Sequence, residues 1–200
     1  MNMEAVMGVL LGIGLGAACG FRIFVPLLVA SIAIHGGFLT VTPEFAWLGG
    51  TPALITLSIA TLLEIAGYYL PVIDNTLDVL GAPAAVIAGT ILAAGFIGHM
   101  DPMLQWGLAA IAGGGAAGVI HGGMAAIRAA ASATTGGLGN SAVSTAETVS
   151  ASLVSILACV LPVLAVLLLG AAIYLLVRFA ISLKRKLAQA GTPDKVEVQD

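Results

Sequence analysis

Two arginines and two glutamates, Arg22, Glu64, Arg128 and Glu147, sit inside stretches that are otherwise almost free of charge. An isolated charge in hydrocarbon is costly, so each of these groups must find a partner or line water. Their order along the chain, R, E, R, E, points to buried pairs: Arg22 with Glu147, or Arg128 with Glu64. The intervals differ, 42 residues from Arg22 to Glu64 and 19 from Arg128 to Glu147, so the two sets are not strict equivalents. A pair of this kind either holds two parts of the molecule together or lines a path for a solute. The expected arrangement is mixed, with one pair structural and the other facing water.

Hydroxyl groups supply a second pattern. Ser141, Thr145, Thr148, Ser152 and Ser155 recur at intervals of four and three, which puts them on one helical face. Such a stripe is either a seam of small residues or one wall of a water-filled path, and the nearby Glu147 favours water. The stretch from Ser132 to Ser141, with Thr134, Thr135, Gly136, Gly137, Leu138, Gly139 and Asn140, is too polar for a packed helix and too apolar for an ordinary loop. It is expected to be a broken helix whose free ends hold an ion or an anionic group. The candidate path is therefore Arg22, Glu64, Arg128, Thr134, Thr135, Asn140, Glu147, Thr148 and Ser152. Asp74, Asn75 and Asp78 offer either a cation site or a helix cap; three oxygen donors are fewer than a dedicated calcium site uses.

Enzyme signatures are thin. Gly113 to Gly118 matches GxGxxG formally, but no strand precedes it. His35-Gly36-Gly37 and His121-Gly122-Gly123 resemble an oxyanion-hole motif, yet no GxSxG elbow accompanies them. Three scattered histidines offer no zinc spacing. No catalysis, metal or cofactor is expected.

The elements that must carry these groups follow from composition. Of 200 residues 60% are apolar and only 8% are Asp, Glu, Lys or Arg, against roughly 25% charged in a soluble domain. Mean hydropathy is +1.10. Disorder, nucleic-acid binding, a disulfide scaffold and an ordinary soluble enzyme are set aside on these numbers. Cys19 and Cys159 both lie in apolar runs, which argues against a disulfide. The first twenty residues lack a basic leader and carry Glu4, unlike a cleaved signal peptide.

A crossing helix needs about 20 residues. Apolar runs cover Ala5 to Ile34 (interrupted by Arg22 and Pro26), Thr51 to Leu70, Gly81 to Gly98, Leu104 to Ile127 and Ser141 to Leu183. The last is far too long for one span and should break at Pro162. These runs predict an all-α membrane bundle of six crossings, with broken or re-entrant helices at Gly20 to Pro26 and Thr134 to Asn140. Lys184-Arg185-Lys186 is the one basic cluster, so the positive-inside rule puts the C-terminus in the cytoplasm. Six crossings bring the N-terminus to the same side, and residues 71–80 then form a cytoplasmic connection. The domain is residues 1–183, followed by a cytoplasmic polar tail, 184–200, with the whole in a bacterial inner membrane.

Glycines recur every four residues at Gly8, Gly12, Gly16 and Gly20, and again at Gly114, Gly118 and Gly122. Each ladder leads to an arginine, then a Gly-Gly pair, then a span and a Leu-Pro-Val. Two related three-helix halves, about 5–80 and 104–183, are expected, with the second inverted as in many secondary transporters. Four-residue glycine spacing also lets helices pack closely, either inside the chain or between copies.

At Gly20-Phe21-Arg22-Ile23-Phe24-Val25-Pro26-Leu27-Leu28 and Thr134-Thr135-Gly136-Gly137-Leu138-Gly139-Asn140 the chain resembles the bacterial integral-membrane family catalogued as domain of unknown function 4126. Leu63-Glu64-Ile65-Ala66 and Asp74-Asn75-Thr76-Leu77-Asp78 are similar to it too, and the resemblance covers most of residues 8 to 165. It implies a topology and candidate residues, not an activity. Two functions are expected to compete. One is a small transporter or channel with a path between the halves. The other is a scaffold or lipid-binding module that oligomerises through its glycine ladders. The partners expected are the lipid bilayer and a second copy of the chain, with no nucleic acid.

Overall fold

The computed structural model describes residues 3–69, 71–98, 100–136 and 139–190, with side chains at all of these except 4–5, 71–79, 179–180 and 183–190. Every regular element among them is helical: α1 (Met3–Ala18), α2 (Phe24–His35), a 3-10 turn (Pro43–Gly49), α3 (Thr51–Gly67), α4 (Pro71–Phe96), α5 (Pro102–Leu108), a π-helical segment (Ala109–Gly114), α6 (Gly115–Thr135), α7 (Asn140–Val160) and α8 (Pro162–Ala190). Large apolar side chains cover the outside: Leu62 and Leu63 of α3, Leu153 of α7 and Leu167 and Leu175 of α8 are all more than 60% exposed. Water would not tolerate that surface over so much of a chain. This is a membrane protein. Two helices, Pro102–Thr135 and Asn140–Val160, are long and apolar enough to cross, or three if the bent pair Pro43–Gly49 and Thr51–Gly67 counts as one.

Prolines set the boundaries. A helix continued through Pro26 would drive its ring into the Arg22 carbonyl, four residues back. The chain instead closes α1 with short bonds, Gly20 N–H to Ala17 O and Phe21 N–H to Ala18 O, and restarts at Phe24. Pro26 then falls in the first turn of α2, where its missing N–H costs nothing. The same logic ends α7 at Val160. Leu161 adopts φ −135°, ψ 71°, off the helical region as a residue before proline should be, and Pro162 opens α8.

Side-chain and backbone approaches give each helix its direction. Gly8, Gly12 and Gly16 of α1 lie against Phe96, Ala93 and Gly89 of α4 in falling order, so the two are antiparallel. Gly14 meets Ala158 while Arg22 meets Ser144, so α7 also runs against α1. Gly16 and Gly20 meet Gly113 and Ala117, so α6 runs with it. Gly14 approaches Ala165, and Gly123 approaches Leu176, so α8 runs with both. Glu64 meets Ile23 while Gly49 meets His35, so α2 and α3 are antiparallel. The seven legs alternate in direction among the described residues.

Three expectations change here. The expected break at Gly20 to Pro26 is present, and it makes the first apolar run two antiparallel helices, not the one crossing counted for it. The first and last helices therefore run parallel and start from the same end. Helices that begin the two proposed halves, α1 and α6, are also parallel, so any relation between the halves is not an inversion. Residues 71–80 are not a connection but the opening turns of α4, where Pro71 stands at the first position, the one place a helix favours it. Asp74 and Asn75 are therefore inside the helix and cannot be its N-cap.

Candidate functional site

The break between α1 and α2 turns Arg22 into the interior of the bundle, against the first turns of α7. Its residue surface is 1% exposed. Nε donates to Thr148 Oγ1 at 3.2 Å, and Nη2 donates to the Ser144 carbonyl at 3.0 Å and also to the Ser144 hydroxyl. Its Nη2 lies 3.7 Å from Glu147 Oε2, close enough for attraction but too long for a hydrogen bond. Arg128, on α6, takes the same carboxylate: its Nη1 donates to Glu147 Oε1 at 2.7 Å and Oε2 at 2.5 Å. Two guanidinium groups thus share Glu147, which is fully buried.

Tyr68, just past the end of α3, stands against both cations. Its ring centroid is 3.9 Å from the Arg22 guanidinium carbon and 5.0 Å from that of Arg128. A ring face attracts a cation electrostatically, the more so out of water. Gly81 of α4 makes room beside it. A Cβ there would come within 2.8 Å of His121 and 3.6 Å of the Tyr68 hydroxyl, and His121 is itself buried.

Glu64 plays a separate part. Its two oxygens accept from the backbone N–H groups of Ile23 (2.7 Å) and Phe24 (3.0 Å), the exposed donors at the start of α2. Ile23 offers no side-chain cap of its own, so the carboxylate arrives from another helix to satisfy them. Glu64 therefore fixes the hairpin that presents Arg22.

Of the expected pairings, Arg22 with Glu147 is present, and Arg128 also lies on Glu147, while Glu64 is held by backbone. The mixed arrangement, with one pair facing water, is not found. A single carboxylate serves both arginines, so both contacts are buried together. Thr148 belongs to the cluster and Ser152 is one turn further along α7. The hydroxyl face is rotated from the one expected: Ser144, Glu147, Ala151, Ser155 and Ala158 are buried, whereas Ser141 and Thr145 are exposed. Most of these hydroxyls donate to carbonyls one turn back (Thr145 to Ser141, Thr148 to Ser144, Ser152 to Thr148, Ser155 to Ala151). That habit lets hydroxyls sit in an apolar helix without water.

Thr134, Thr135 and Asn140 are not at the cluster. Helix α6 runs on through Thr135, two turns beyond Arg128, and the Thr134 and Thr135 hydroxyls donate to the Ala130 and Ala131 carbonyls within it. Gly136, at φ +64°, then turns the chain in a conformation that suits glycine. Thr135 Oγ1 accepts from Gly139 N–H, and Ser132 donates to Asn140. These groups tie one helix to the next. Gly137 and Leu138 lie outside the described residues, as do the side chains of Asp74, Asn75, Asp78 and Lys184 to Lys186. Tyr68 and Ser144 were missed. Tyr68 stands four residues after Glu64 and Ser144 three before Glu147, so one-turn spacing from a buried acid was the available signal.

At the opposite end of the bundle an open cavity of about 900 Å³ is lined by Gly8 and Leu11 of α1, the segment from Phe38 to Glu44, Phe96, Gln105 and Cys159. Cys19 is fully buried. A water-soluble maleimide is therefore expected to label Cys159 in the folded protein and to leave Cys19 untouched until denaturant is added, read by mass spectrometry of peptides.

A protein-family model described as "Domain of unknown function (DUF4126)" matches residues 9–182. The chain belongs to this family. The match takes in the four buried charges found among the described residues of the DUF4126 chain, both helix-breaking prolines and the cluster around Glu147. Neither a curated protein nor a solved structure matches it.

Proposed function

We propose that this DUF4126 protein is a small-solute transporter or channel of a cell's inner membrane, with its path along the seam between hairpin α1–α2 and hairpin α6–α7. The observation that carries the reading is the Arg22–Glu147–Arg128 cluster, held at an interrupted helix inside an apolar bundle. Secondary transporters build their polar sites from broken helices, and here the break lies one to two turns inside the start of α7. The cavity at the other end is the mouth of the path, and Ser155 and Ser152 lie between the two on α7.

The topology we favour has a re-entrant α1–α2 hairpin and five full crossings, α3, α4, α5–α6, α7 and α8, in place of six. The hairpin tip meets α7 at Ser144 to Thr148, four to eight residues inside its start, or about 6–12 Å. Arg128, Arg178 and Lys184 to Lys186 gather toward one end, which the positive-inside rule makes cytoplasmic. The C-terminus is then inside and the N-terminus outside, whereas an even count would have put both inside. If the two halves are copies, they are parallel copies. The scaffold alternative weakens because the first glycine ladder is spent within the chain, against α4 and α6.

The seam is tested by single cysteines in a variant lacking Cys19 and Cys159. Positions 148, 152 and 155 are expected to react with a membrane-impermeant thiol reagent in vesicles, with Ser152→Cys fastest. Lipid-facing Leu153→Cys should stay inert. If no seam position reacts, the path is elsewhere or absent.

A further inference from the structure

We propose that the cavity between α1, α4, α7 and the segment Phe38–Glu44 is a binding site for a single-chain amphiphile with a primary ammonium head. Its volume, about 900 Å³, falls in the range of small-molecule pockets. Its buried lining includes Leu11 and Phe96, with the exposed apolar side chains of Met7 and Val160 beside them, and suits an alkyl chain. Its rim is polar and acidic.

Two observations point to the head group and a third sets its depth. Glu44 is the one carboxylate in the lining, and Asp101 caps α5 next to the lining residue Pro102. No lysine or arginine occurs anywhere between Arg22 and Arg128, so nothing from this part of the chain neutralises that acid with a fixed cation. Thr42, also in the lining, has its Oγ1 buried with no hydrogen-bond partner among the described residues. A buried hydroxyl left without a partner is costly, and a turn about its Cα–Cβ bond would bring it out of its apolar contact to meet an ammonium N–H in the cavity. A quaternary ammonium has no N–H to give, and a carboxylate head would meet Glu44 with like charge.

The third observation is the depth of the site. Both tryptophans of the chain stand beside it: Trp106 follows the lining residue Gln105 and packs on Phe45 with ring centroids 6.1 Å apart, and Trp47 is three residues after Glu44. Both are about half exposed. Tryptophan favours the level of lipid head groups, which is where an amphiphile brings its chain in from the bilayer and its head in from water. The cavity is also the mouth of the proposed path, but occupancy is read without flux, so the two readings are tested separately.

The test uses the full chain in nanodiscs of zwitterionic phosphatidylcholine, titrated with decylammonium while tryptophan emission and the rate of Cys159 labelling by maleimide are followed. A saturable emission change and slower Cys159 labelling are expected. Glu44→Gln, at an exposed position, should weaken decylammonium roughly five-fold, the scale of an exposed charge pair. Thr42→Val should weaken decylammonium and leave decyltrimethylammonium unchanged. Decanoate should not compete. The proposal fails if decanoate binds as well as decylammonium, if Glu44→Gln leaves the titration unmoved, or if no saturable change appears. A protein that binds decylammonium yet has an unreactive α7 seam would keep this site and lose the transport path.

Discussion

Glu147→Gln is expected to be among the most damaging single substitutions in the chain, lowering stability by about 3–5 kcal/mol. Two arginines, each no more than 3% exposed, depend on that carboxylate. An amide keeps the shape and loses the charge, so both guanidiniums remain buried without the carboxylate that offsets their charge. Thermal or denaturant unfolding in detergent reads the loss. Exchanging the partners, Arg128→Glu with Glu147→Arg, should restore only part of it. The new arginine would sit beside Arg22, which the native carboxylate attracts at 3.7 Å. A Glu147→Gln protein as stable as the wild type would mean that the cluster does not hold the hairpins together. If it folds and also moves solute normally, the cluster has no place in the path either.

The second large effect is expected along α1. A Cβ on Gly16 would lie 2.6 Å from the Gly89 carbonyl oxygen and 3.0 Å from Gly113 Cα, and one on Gly20 would lie 2.5 Å from the Ala117 carbonyl oxygen. These neighbours are backbone on packed helices and cannot swing aside. Gly16→Ala and Gly20→Ala should each cost about 1–3 kcal/mol, the usual range for overpacking. Gly122 belongs to the second ladder by sequence, but nothing lies within 4 Å of its would-be Cβ. Gly122→Ala should leave stability unchanged or raise it by up to about 1 kcal/mol through helix propensity. If all three behave alike, close helix approach does not explain the first ladder.

What could be read from the sequence was what single residues force locally. Pro26 and Pro162 break helices through their own rings, so both breaks were legible, and so was the need for Arg22 and Glu147 to be neutralised. Choices among partners were not. Whether Arg128 takes Glu64 or Glu147 depends on how α3 and α7 stand around it, and no spacing encodes that. Glu64 was read as one half of an ion pair because its partners, the Ile23 and Phe24 amides, are backbone groups that every residue carries. The hydroxyl face of α7 was misjudged by one residue, which on a helix is 100°: Ser144 is buried, and its neighbour Thr145 is not. The π-helical segment Ala109–Gly114 also gave no warning. Its wide turn, with Gly115 N–H reaching back to Ala110 O, sets Gly113 and Gly114 against α4, a tertiary demand that a Gly/Ala run cannot announce.

The hairpin tip also bears on how the protein is made. Arg22 leaves the ribosome 122 residues ahead of Ser144, its main hydrogen-bond partner, and Glu147 comes later still. At synthesis rates of about 5–20 residues per second, that is an interval of roughly 6–24 s. Glu64 appears much earlier and can cap α2, but it leaves the guanidinium's bonds to α7 unmade. During biogenesis the first two helices must therefore wait near the head groups or beside the insertion machinery, with their cation wet, until α7 is threaded and draws it in. Nascent chains truncated before α7 should leave Arg22 in water and the hairpin undocked.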